Sequence, residues 1–374
     1  MHLKQSHPMT LIIDSHEDLA WNMVNLARDY TRSALETRNL EKNGPVPAYN
    51  GNTLLGRPEY VQGKVAIVFG TLFANPRHLD EGKYPVENYE TPQQAHSVYR
   101  KQLDAYYRLT DSHPDDFRLI RSQADLAAHW QAWQAYDADE TLPAPPTGIV
   151  VLMEGAEGVV EPAEVADWFE WGLRLIGPAW AGNRYCGGTR EPGPLTQLGR
   201  ELLDRMADQG FILDISHMDH ESARQALDHY PKQVIATHAN AEALIKGIPT
   251  NRHLKDATIH QLIERDGVMG IVPLNGFLDW QWRSRGGREA MSLNQIIAQI
   301  DYVCQLAGDT RHVALGTDFD GGFGVESVPL GLDTIADLTR LAPLLKKKGY
   351  NQEDVARIFS GNWHRILQKN LPSS

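Results

Sequence analysis

Short apolar runs alternate with amphipathic stretches along most of this chain. Each run is short enough for one buried strand, and the stretches between most of them have helical spacing of apolar residues. Strands are predicted at residues 11–16, 65–72, 148–153, 173–176, 211–216, 234–237, 268–272 and 312–316. Helices are predicted at residues 91–110, 121–139, 162–172, 196–209, 219–230, 256–266 and 292–307. Strands that are buried on both faces and joined by helices imply a parallel sheet.

The number of predicted strands favours an α/β fold of the (β/α)8 TIM-barrel type. A doubly wound open sheet is the alternative, but no Gly-x-Gly-x-x-Gly follows an early strand. We expect residues 1–374 to form a single barrel domain, since barrels with insertions reach this length. Residues 31–63 are rich in Gly, Pro and Asn and predict a long loop insertion. A C-terminal helical segment is predicted at residues 334–371.

Composition narrows the possible partners and compartment. The formal net charge of −12 argues against general binding to nucleic acid or to an anionic membrane. The two cysteines, Cys186 and Cys304, offer neither a disulfide framework nor a cysteine-rich zinc site. No run approaches the roughly 18 apolar residues of a membrane span, and no signal segment is apparent. These features predict a cytoplasmic protein in a reducing compartment.

Polar side chains follow several of the predicted strands at the point where each strand ends. His16 and Asp18 follow the first strand, and because they are two residues apart they point to the same side. Later strand ends supply Glu154, His217, His238 and Asp318. Barrel enzymes place their chemistry at the carboxyl ends of the strands, so we expect these side chains to converge.

The converging residue types favour a binuclear metal site. His16, Asp18, Glu154, His217 and His238 suit two Zn²⁺-like ions if one carboxylate bridges them. Glu154 is the natural bridge, because its strand would lie between the others. Two metals about 3.5–4 Å apart can hold a shared hydroxide and polarise a carbonyl group.

Three further polar residues have predicted roles around this site. Asp318 could move protons or hold a substrate ammonium group. Arg252, in the loop after the sixth strand, could clamp a substrate carboxylate. Asp320 has left the strand, so we expect it to organise its loop and not to catalyse.

As a set, these motifs resemble the renal (membrane) dipeptidase family of the amidohydrolase superfamily. The resembling segments are residues 14–19, 153–155, 213–217, 237–240, 316–321 and 349–363. The resemblance extends from about residue 11 to about residue 368. It implies a (β/α)8 barrel with two Zn²⁺ ions per chain that hydrolyses dipeptides, and it suggests a homodimer.

The resemblance also implies how the ligands are shared between the two zinc ions. His16, Asp18 and Glu154 would hold one ion, and Glu154, His217 and His238 the other. Asp318 would serve acid–base catalysis and recognise the substrate amino group, and Arg252 would bind the substrate carboxylate.

The chain departs from the family pattern at three places. Trp180 stands where the family has a histidine that steadies the oxyanion, and an indole has one N–H donor and no acid–base function. Losing an oxyanion donor typically lowers turnover by about 10²–10³. The glutamate motif continues as Gly155-Ala156-Glu157 in place of Gly-Gly-His, and Arg252 matches only with a gap of about one residue. Metal binding is therefore better supported than ordinary dipeptidase activity.

Three hypotheses follow for the function. The first is a dipeptidase-like hydrolase that uses a binuclear-zinc-bound hydroxide, with unusual or D-residue dipeptides among its candidate substrates. The second is a binuclear amidohydrolase that acts on a non-peptide amide or a lactone, which Trp180 motivates. The third is a non-catalytic metal-binding protein. A dipeptide screen joined to metal analysis distinguishes them.

Overall fold

Eight parallel strands form a barrel in the computed structural model, which describes residues 11–245, 248 and 250–374. The strands are β1 (Ile12–Glu17), β2 (Val65–Phe73), β3 (Thr147–Glu154), β4 (Leu173–Gly177), β5 (Ile212–Asp214), β6 (Val234–Ile235), β7 (Met269–Ile271) and β8 (Val313–Leu315). Their order in the sheet is β6-β5-β4-β3-β2-β1-β8-β7. A parallel bridge between Ala236 and Met269 joins β6 to β7 and closes the ring. The predicted barrel is thus confirmed; residues 1–10 of the predicted single domain lie outside the described residues.

Helical segments connect the strands and follow the last one. The α-helices are Leu19–Leu26, Ala34–Glu41, Val46–Asn50, Arg57–Gln62, Pro92–Ser112, Gln123–Ala138, Val165–Glu170, Gln197–Gln209, His220–His229, Asp256–Glu264, Asn275–Leu278, Leu293–Ala307, Leu341–Lys348, Gln352–Ala356 and Asn362–Asn370. A π-helical turn, Arg357–Gly361, precedes the last of them. Single 3₁₀ turns are Arg77–Leu79, Ala156–Gly158, Pro162–Glu164, Glu242–Leu244, Gly287–Ala290, Val325–Ser327 and Ile335–Arg340. Among the described residues, no helix is long and apolar enough to cross a membrane.

Small strands outside the ring decorate the loops. Phe117–Leu119 pairs in parallel with the amino-terminal half of β3. Asn75–Pro76 pairs with Asn88–Tyr89, and Cys186–Gly188 forms an antiparallel pair with Glu191–Leu195. The antiparallel pair lies in the connection after β4.

Side chains alternate between two apolar clusters along the barrel strands. On β3, Val150 and Leu152 join the cluster that contains Ile13 and Phe69, whereas the intervening residues pack in the larger cluster with the helices. This alternation is the two-residue period of a strand that is buried on both faces. The C-terminal helix covers the first cluster: the Trp363 ring lies 5.5 Å from that of Phe69.

β5 and β6 are shorter than the runs predicted at residues 211–216 and 234–237. The reason is a side chain at the end of β5. Asp214 Oδ1 accepts hydrogen bonds from the backbone N–H groups of Ser216 and Thr237, both at 3.0 Å. The Asp214 carboxylate therefore takes the place of the backbone carbonyl acceptors that would otherwise continue the sheet beyond β5 and β6.

The predicted loop at residues 31–63 is wrong in part, because it contains three short helices, Ala34–Glu41, Val46–Asn50 and Arg57–Gln62. Ser33 caps the first helix by accepting a hydrogen bond from the Glu36 N–H at 3.1 Å. Prolines occupy the first turns of the other two, where a missing N–H costs nothing. The prolines that suggested a loop therefore lie in the first turns of short helices.

Candidate metal centre

The carboxyl ends of β1, β3, β5, β6 and β8 bring the six predicted polar side chains to one place. They form three groups whose ligand atoms lie within 4.8 Å of one another. The groups are His16 with Asp18 and Glu154, Glu154 with His217 and His238, and His16 with His238 and Asp318. No other such group occurs among the described residues.

Glu154, the last residue of β3, lies between the histidines. Its Oε1 atom is 3.0 Å from His217 Nε2 and 3.3 Å from His238 Nε2. Its Oε2 atom is 3.4 Å from His16 Nε2. Each carboxylate oxygen thus faces a different set of histidine nitrogens, which is the arrangement that a bridging ligand needs.

Threonine hydroxyls behind the histidines determine which ring nitrogen faces the centre. Thr237 Oγ1 donates to Asp214 Oδ2 at 2.5 Å, so its lone pairs are left to accept. It lies 2.9 Å from His238 Nδ1 and 3.4 Å from His16 Nδ1. Both rings therefore carry their proton on Nδ1 and direct the Nε2 lone pair at Glu154.

The hydroxyl of Thr189 plays the same part for the third histidine. Thr189 Oγ1 lies 3.0 Å from His217 Nδ1 and donates to the His217 carbonyl oxygen at 3.4 Å. The hydroxyl proton is used on the carbonyl, so the imidazole donates to the oxygen. All three histidines therefore direct Nε2 towards Glu154, the orientation in which a neutral imidazole binds a metal ion.

The donor atoms fit a cation better than they fit one another. His217 Nε2 and His238 Nε2 are 2.9 Å apart, and with both protons on Nδ1 this contact brings two lone pairs together. His16 Nε2 is buried and has no hydrogen-bond partner. A positive charge among these atoms removes both penalties, since buried polar groups are costly when unpaired.

Burial and charge shift the acid–base properties of these ligands. Burial lowers the pKa of His217 to about 4 and holds that of His238 well below the usual range, so both rings are neutral. Burial also opposes charge on His16, but Glu154 outweighs it and raises the His16 pKa to about 9. Burial raises the pKa of Asp18 to about 7, with the Glu154 charge adding to the effect.

Asp318 lies beside the ligands at the end of β8. Its Oδ1 atom is 3.9 Å from His16 Nε2, and its backbone N–H donates to the His16 carbonyl oxygen at 3.1 Å. The backbone at Asp318 is left-handed, with φ of 58°, which points the carboxyl group back towards the centre. Burial raises its pKa well above that of an ordinary aspartate, although His16 opposes the shift.

The chain as a whole has counterparts among known proteins. A family model described as membrane dipeptidase (peptidase family M19) matches residues 3–371. The chain belongs to this family. It is therefore a hydrolase of a metallopeptidase family, and the buried ligand groups described above are where a metal ion could bind.

Curated relatives of the chain are distant. Dipeptidase ataJ of Aspergillus terreus is 24% identical over 389 residues, which cover 96% of this chain and 84% of that protein. An uncharacterized protein from the pqqA 5′ region of Klebsiella pneumoniae is 32% identical over 231 residues, which cover 59% of this chain and 81% of that protein.

Solved structures share the fold. A metallopeptidase from Rhodobacter sphaeroides, liganded with a phosphinate mimic of the dipeptide L-Ala-D-Ala, has a TM-score of 0.73 and 21% identity. That comparison covers 96% of this chain and 99% of the other. The structure of dipeptidase AC, a metallopeptidase, also has a TM-score of 0.73, with 22% identity over 98% of this chain and all of that one.

Arg252 lies at the site but makes contacts that the sequence did not indicate. The side chain is 3% exposed, and its Nη1 and Nη2 atoms donate to the carbonyl oxygens of Ser216 and His238, both at 2.7 Å. Its Nε atom has no hydrogen-bond partner. The guanidinium therefore ties together the two loops that carry His217 and His238 and still has a free N–H.

Trp180 lies beside the second ligand group. Its ring is 6.1 Å from that of His217, with an interplanar angle of 29°. Trp180 also lines the cavity above the metal centre together with Glu154 and Arg252. Trp180, which the sequence predicts to stand in place of the family's histidine, is thus part of the cavity wall and not of the barrel core.

Sequence reasoning missed Asp214, Thr237 and Thr189, which orient the ligands. A charged residue within the apolar run 211–216 was a usable signal for Asp214, since such a residue is costly unless paired. Thr237 precedes His238 directly, but nothing in the sequence shows that its hydroxyl reaches His16 as well. Thr189 lies 28 positions before His217 and gave no signal.

Proposed function

We propose that the chain is a binuclear-zinc dipeptidase that hydrolyses the amide bond of a dipeptide. The proposal rests on the position of the Glu154 carboxylate. One of its oxygens faces His217 and His238, and the other faces His16. His16 and Asp18 complete one ligand group and the two later histidines the other. Two zinc ions at these residues would supply a nucleophile at neutral pH and would polarise a carbonyl oxygen.

The remaining residues act on the substrate directly. The Asp318 carboxyl group, 3.9 Å from His16, would take up a proton from the attacking water and pass it to the leaving amine nitrogen as the amide C–N bond breaks. The same carboxyl group faces the substrate ammonium group before the reaction. Arg252 lines the cavity and has a buried positive charge, which suits the substrate carboxylate. The dipeptide mimic bound to the Rhodobacter sphaeroides metallopeptidase supports a substrate of this class.

Metal analysis combined with a dipeptide assay tests the proposal. We expect two zinc ions per purified chain and hydrolysis of at least some members of an L,L-, L,D- and D-dipeptide panel. Glu154→Gln keeps the shape of the side chain but removes the shared charge, so it should lose one or both metals and at least about 100-fold in kcat/KM. Size-exclusion chromatography of the same sample tests the predicted homodimer.

A matched control is three residues away. Glu157 is also a buried glutamate, 8% exposed, but it belongs to none of the ligand groups. Glu157→Gln should keep both metals and the activity. Two zinc ions and full activity in Glu154→Gln would exclude the proposed mechanism.

Trp180 favours a second candidate, a binuclear amidohydrolase that acts on a non-peptide amide or a lactone. An indole beside His217 supplies less help to a peptide oxyanion than a histidine does. This candidate would be favoured if the protein bound two zinc ions, hydrolysed no dipeptide and hydrolysed another amide. Gain of dipeptide turnover in Trp180→His would favour the first.

A further inference from the structure

The cavity above the metal centre is large for a dipeptide of two small residues. Its volume is about 680 Å³, and Asp18, Glu154 and Asp318 line it at the metal centre. Cavities of about 300–1,000 Å³ usually enclose ligands of drug size. The site therefore has room for a bulky side chain in addition to the two ends of a dipeptide.

One side of this cavity is an aromatic wall formed by Trp21, Tyr49, Phe73 and Trp180. The four residues come from the helix after β1, the segment 31–63, the end of β2 and the loop after β4. The rings of Trp21 and Tyr49 are stacked 6.3 Å apart, and those of Phe73 and Trp180 lie 5.1 Å apart. Four separate chain segments thus present ring surfaces to one space.

The aromatic wall is not an extension of the barrel core. Trp21 and Phe73 belong to a small apolar cluster that is distinct from both large clusters, and Tyr49 and Trp180 pack on it while half-buried. Apolar surface that remains exposed inside a cavity marks a place where an apolar group binds. Ring surfaces of this kind favour aromatic partners over aliphatic ones of equal size.

Charges fix which end of a dipeptide lies near the aromatic wall. The carboxylates Asp18 and Asp318 come from β1 and β8, next to the helix that bears Trp21. Arg252 comes from the loop after β6, and its guanidinium lies 5.4 Å from the Phe277 ring, which also lines the cavity. A dipeptide with its ammonium group at Asp318 and its carboxylate at Arg252 would direct its first side chain towards the aromatic wall.

We propose that the aromatic wall is a subsite for a large apolar, preferentially aromatic, side chain on the amino-terminal residue of the dipeptide substrate. The proposal rests on the proposed function, because the orientation requires that Asp318 and Arg252 bind the two substrate ends. It adds a preference for one side chain at one position. Burying an aromatic side chain on this wall should raise kcat/KM about 10- to 100-fold.

A four-substrate assay on the zinc-loaded enzyme tests the subsite. The substrates are Ala-Ala, Phe-Ala, Ala-Phe and Lys-Ala, in the stereochemistry that the panel above selects. We expect kcat/KM for Phe-Ala to exceed that for Ala-Ala about 10- to 100-fold, and to exceed that for Ala-Phe and Lys-Ala as well. Equal values for Phe-Ala and Ala-Ala overturn the subsite, and a preference for Ala-Phe overturns its assignment to the first residue. Hydrolysis of none of the four, nor of any other dipeptide, contradicts the proposed function itself.

Variants separate the wall from general effects on the fold. Phe73→Ala and the milder Tyr49→Ala should each lower the ratio of Phe-Ala to Ala-Ala activity by about tenfold, mainly through KM. Trp130→Ala removes an aromatic ring that packs on His364 away from this cavity, and it should leave the ratio unchanged. An unchanged ratio in both wall variants, with the fold intact by circular dichroism, excludes the proposal.

Discussion

The barrel interior has an apolar half and a polar half, although the same strands build both. The amino-terminal half is an apolar cluster with Ile13, Phe69 and Leu152, covered by the C-terminal helix through Trp363. The carboxyl half collects buried carboxylates and imidazoles, and one of its nitrogens, His16 Nε2, has no hydrogen-bond partner. The first half is packed for stability, whereas the second tolerates unfavourable contacts that bound metal ions would relieve.

Stability and function should therefore depend on different residues of the same strand. On β1, Ile13 and His16 are three residues apart but belong to different halves. Substitutions in the carboxyl half should change metal binding and turnover with little loss of folding free energy. Substitutions in the apolar half should lower the folding free energy with little change in metal binding and turnover, and four experiments test this contrast.

The largest effect is expected for Asp318→Asn. Asparagine tolerates the left-handed backbone at this position, so the fold should persist, but it cannot carry the proton. We expect kcat to fall about 10²–10⁴-fold with the zinc content unchanged. Steady-state kinetics beside metal analysis checks this. Loss of metal in the variant would mean that Asp318 is chiefly a ligand and not a proton carrier.

Phe69→Ala addresses the apolar half. The ring is fully buried and packs 5.5 Å from Trp363, so its removal leaves a cavity and should lower the free energy of unfolding by about 3–5 kcal/mol. Urea unfolding measures the loss, and turnover per folded, zinc-loaded chain should stay near that of the wild type. A large fall in kcat for the folded variant would show that the two halves are coupled.

His129 predicts a pH dependence that originates outside the metal centre. Its Nε2–H donates to the Ala66 carbonyl oxygen at 2.8 Å, and burial lowers its pKa from 6.5 to about 4, with Arg118 and Arg57 adding to the effect. Between these pH values only the unfolded chain binds the proton. The stability is therefore fully present above pH 6.5 and is lost as the pH falls towards 4, by on the order of 3 kcal/mol.

Urea unfolding of the wild type and His129→Gln from pH 7.5 to pH 4.5 isolates this contribution. The variant should lose less stability on acidification, because glutamine does not titrate, while metal release at low pH affects both proteins alike. A difference in unfolding free energy that does not change with pH would refute the assignment.

The smallest effect distinguishes the two ligand groups within the carboxyl half. Thr237 contacts His16 and His238, whereas Thr189 contacts only His217. Thr237→Val should weaken zinc binding in both groups by about 10- to 100-fold, and Thr189→Val only in the group of His217. In a chelator titration, Thr237→Val should weaken both zinc-binding steps, and Thr189→Val should weaken only one. Thr237→Ser retains the hydroxyl and should restore the affinity; failure of this rescue would refute the proposed role of the hydroxyl.

The barrel was predictable because its signal is local. Short apolar runs and helical spacing recur in order, and parallel strands joined by helices leave few alternatives. The segment 31–63 was mispredicted because proline and glycine are common both in loops and at helix starts. Asp320 was expected to structure its loop, and its carboxylate instead binds residues of a different segment. It accepts from Tyr30, Thr53 and the Leu54 N–H and lies 3.1 Å from Arg28, which ties the mispredicted segment to the barrel.

Chain order and strand direction are enough to predict which residue types meet at the carboxyl end of the barrel, because they place His16, Glu154 and His238 at one edge. How these side chains meet depends on the folded structure. The Thr237 hydroxyl reaches His16 across 221 positions, and Arg252 divides its donors between two loops. Such contacts depend on strand register and loop path to within a fraction of an ångström, which local patterns do not encode. The aromatic wall has the same origin, since its four rings become neighbours only when the barrel closes.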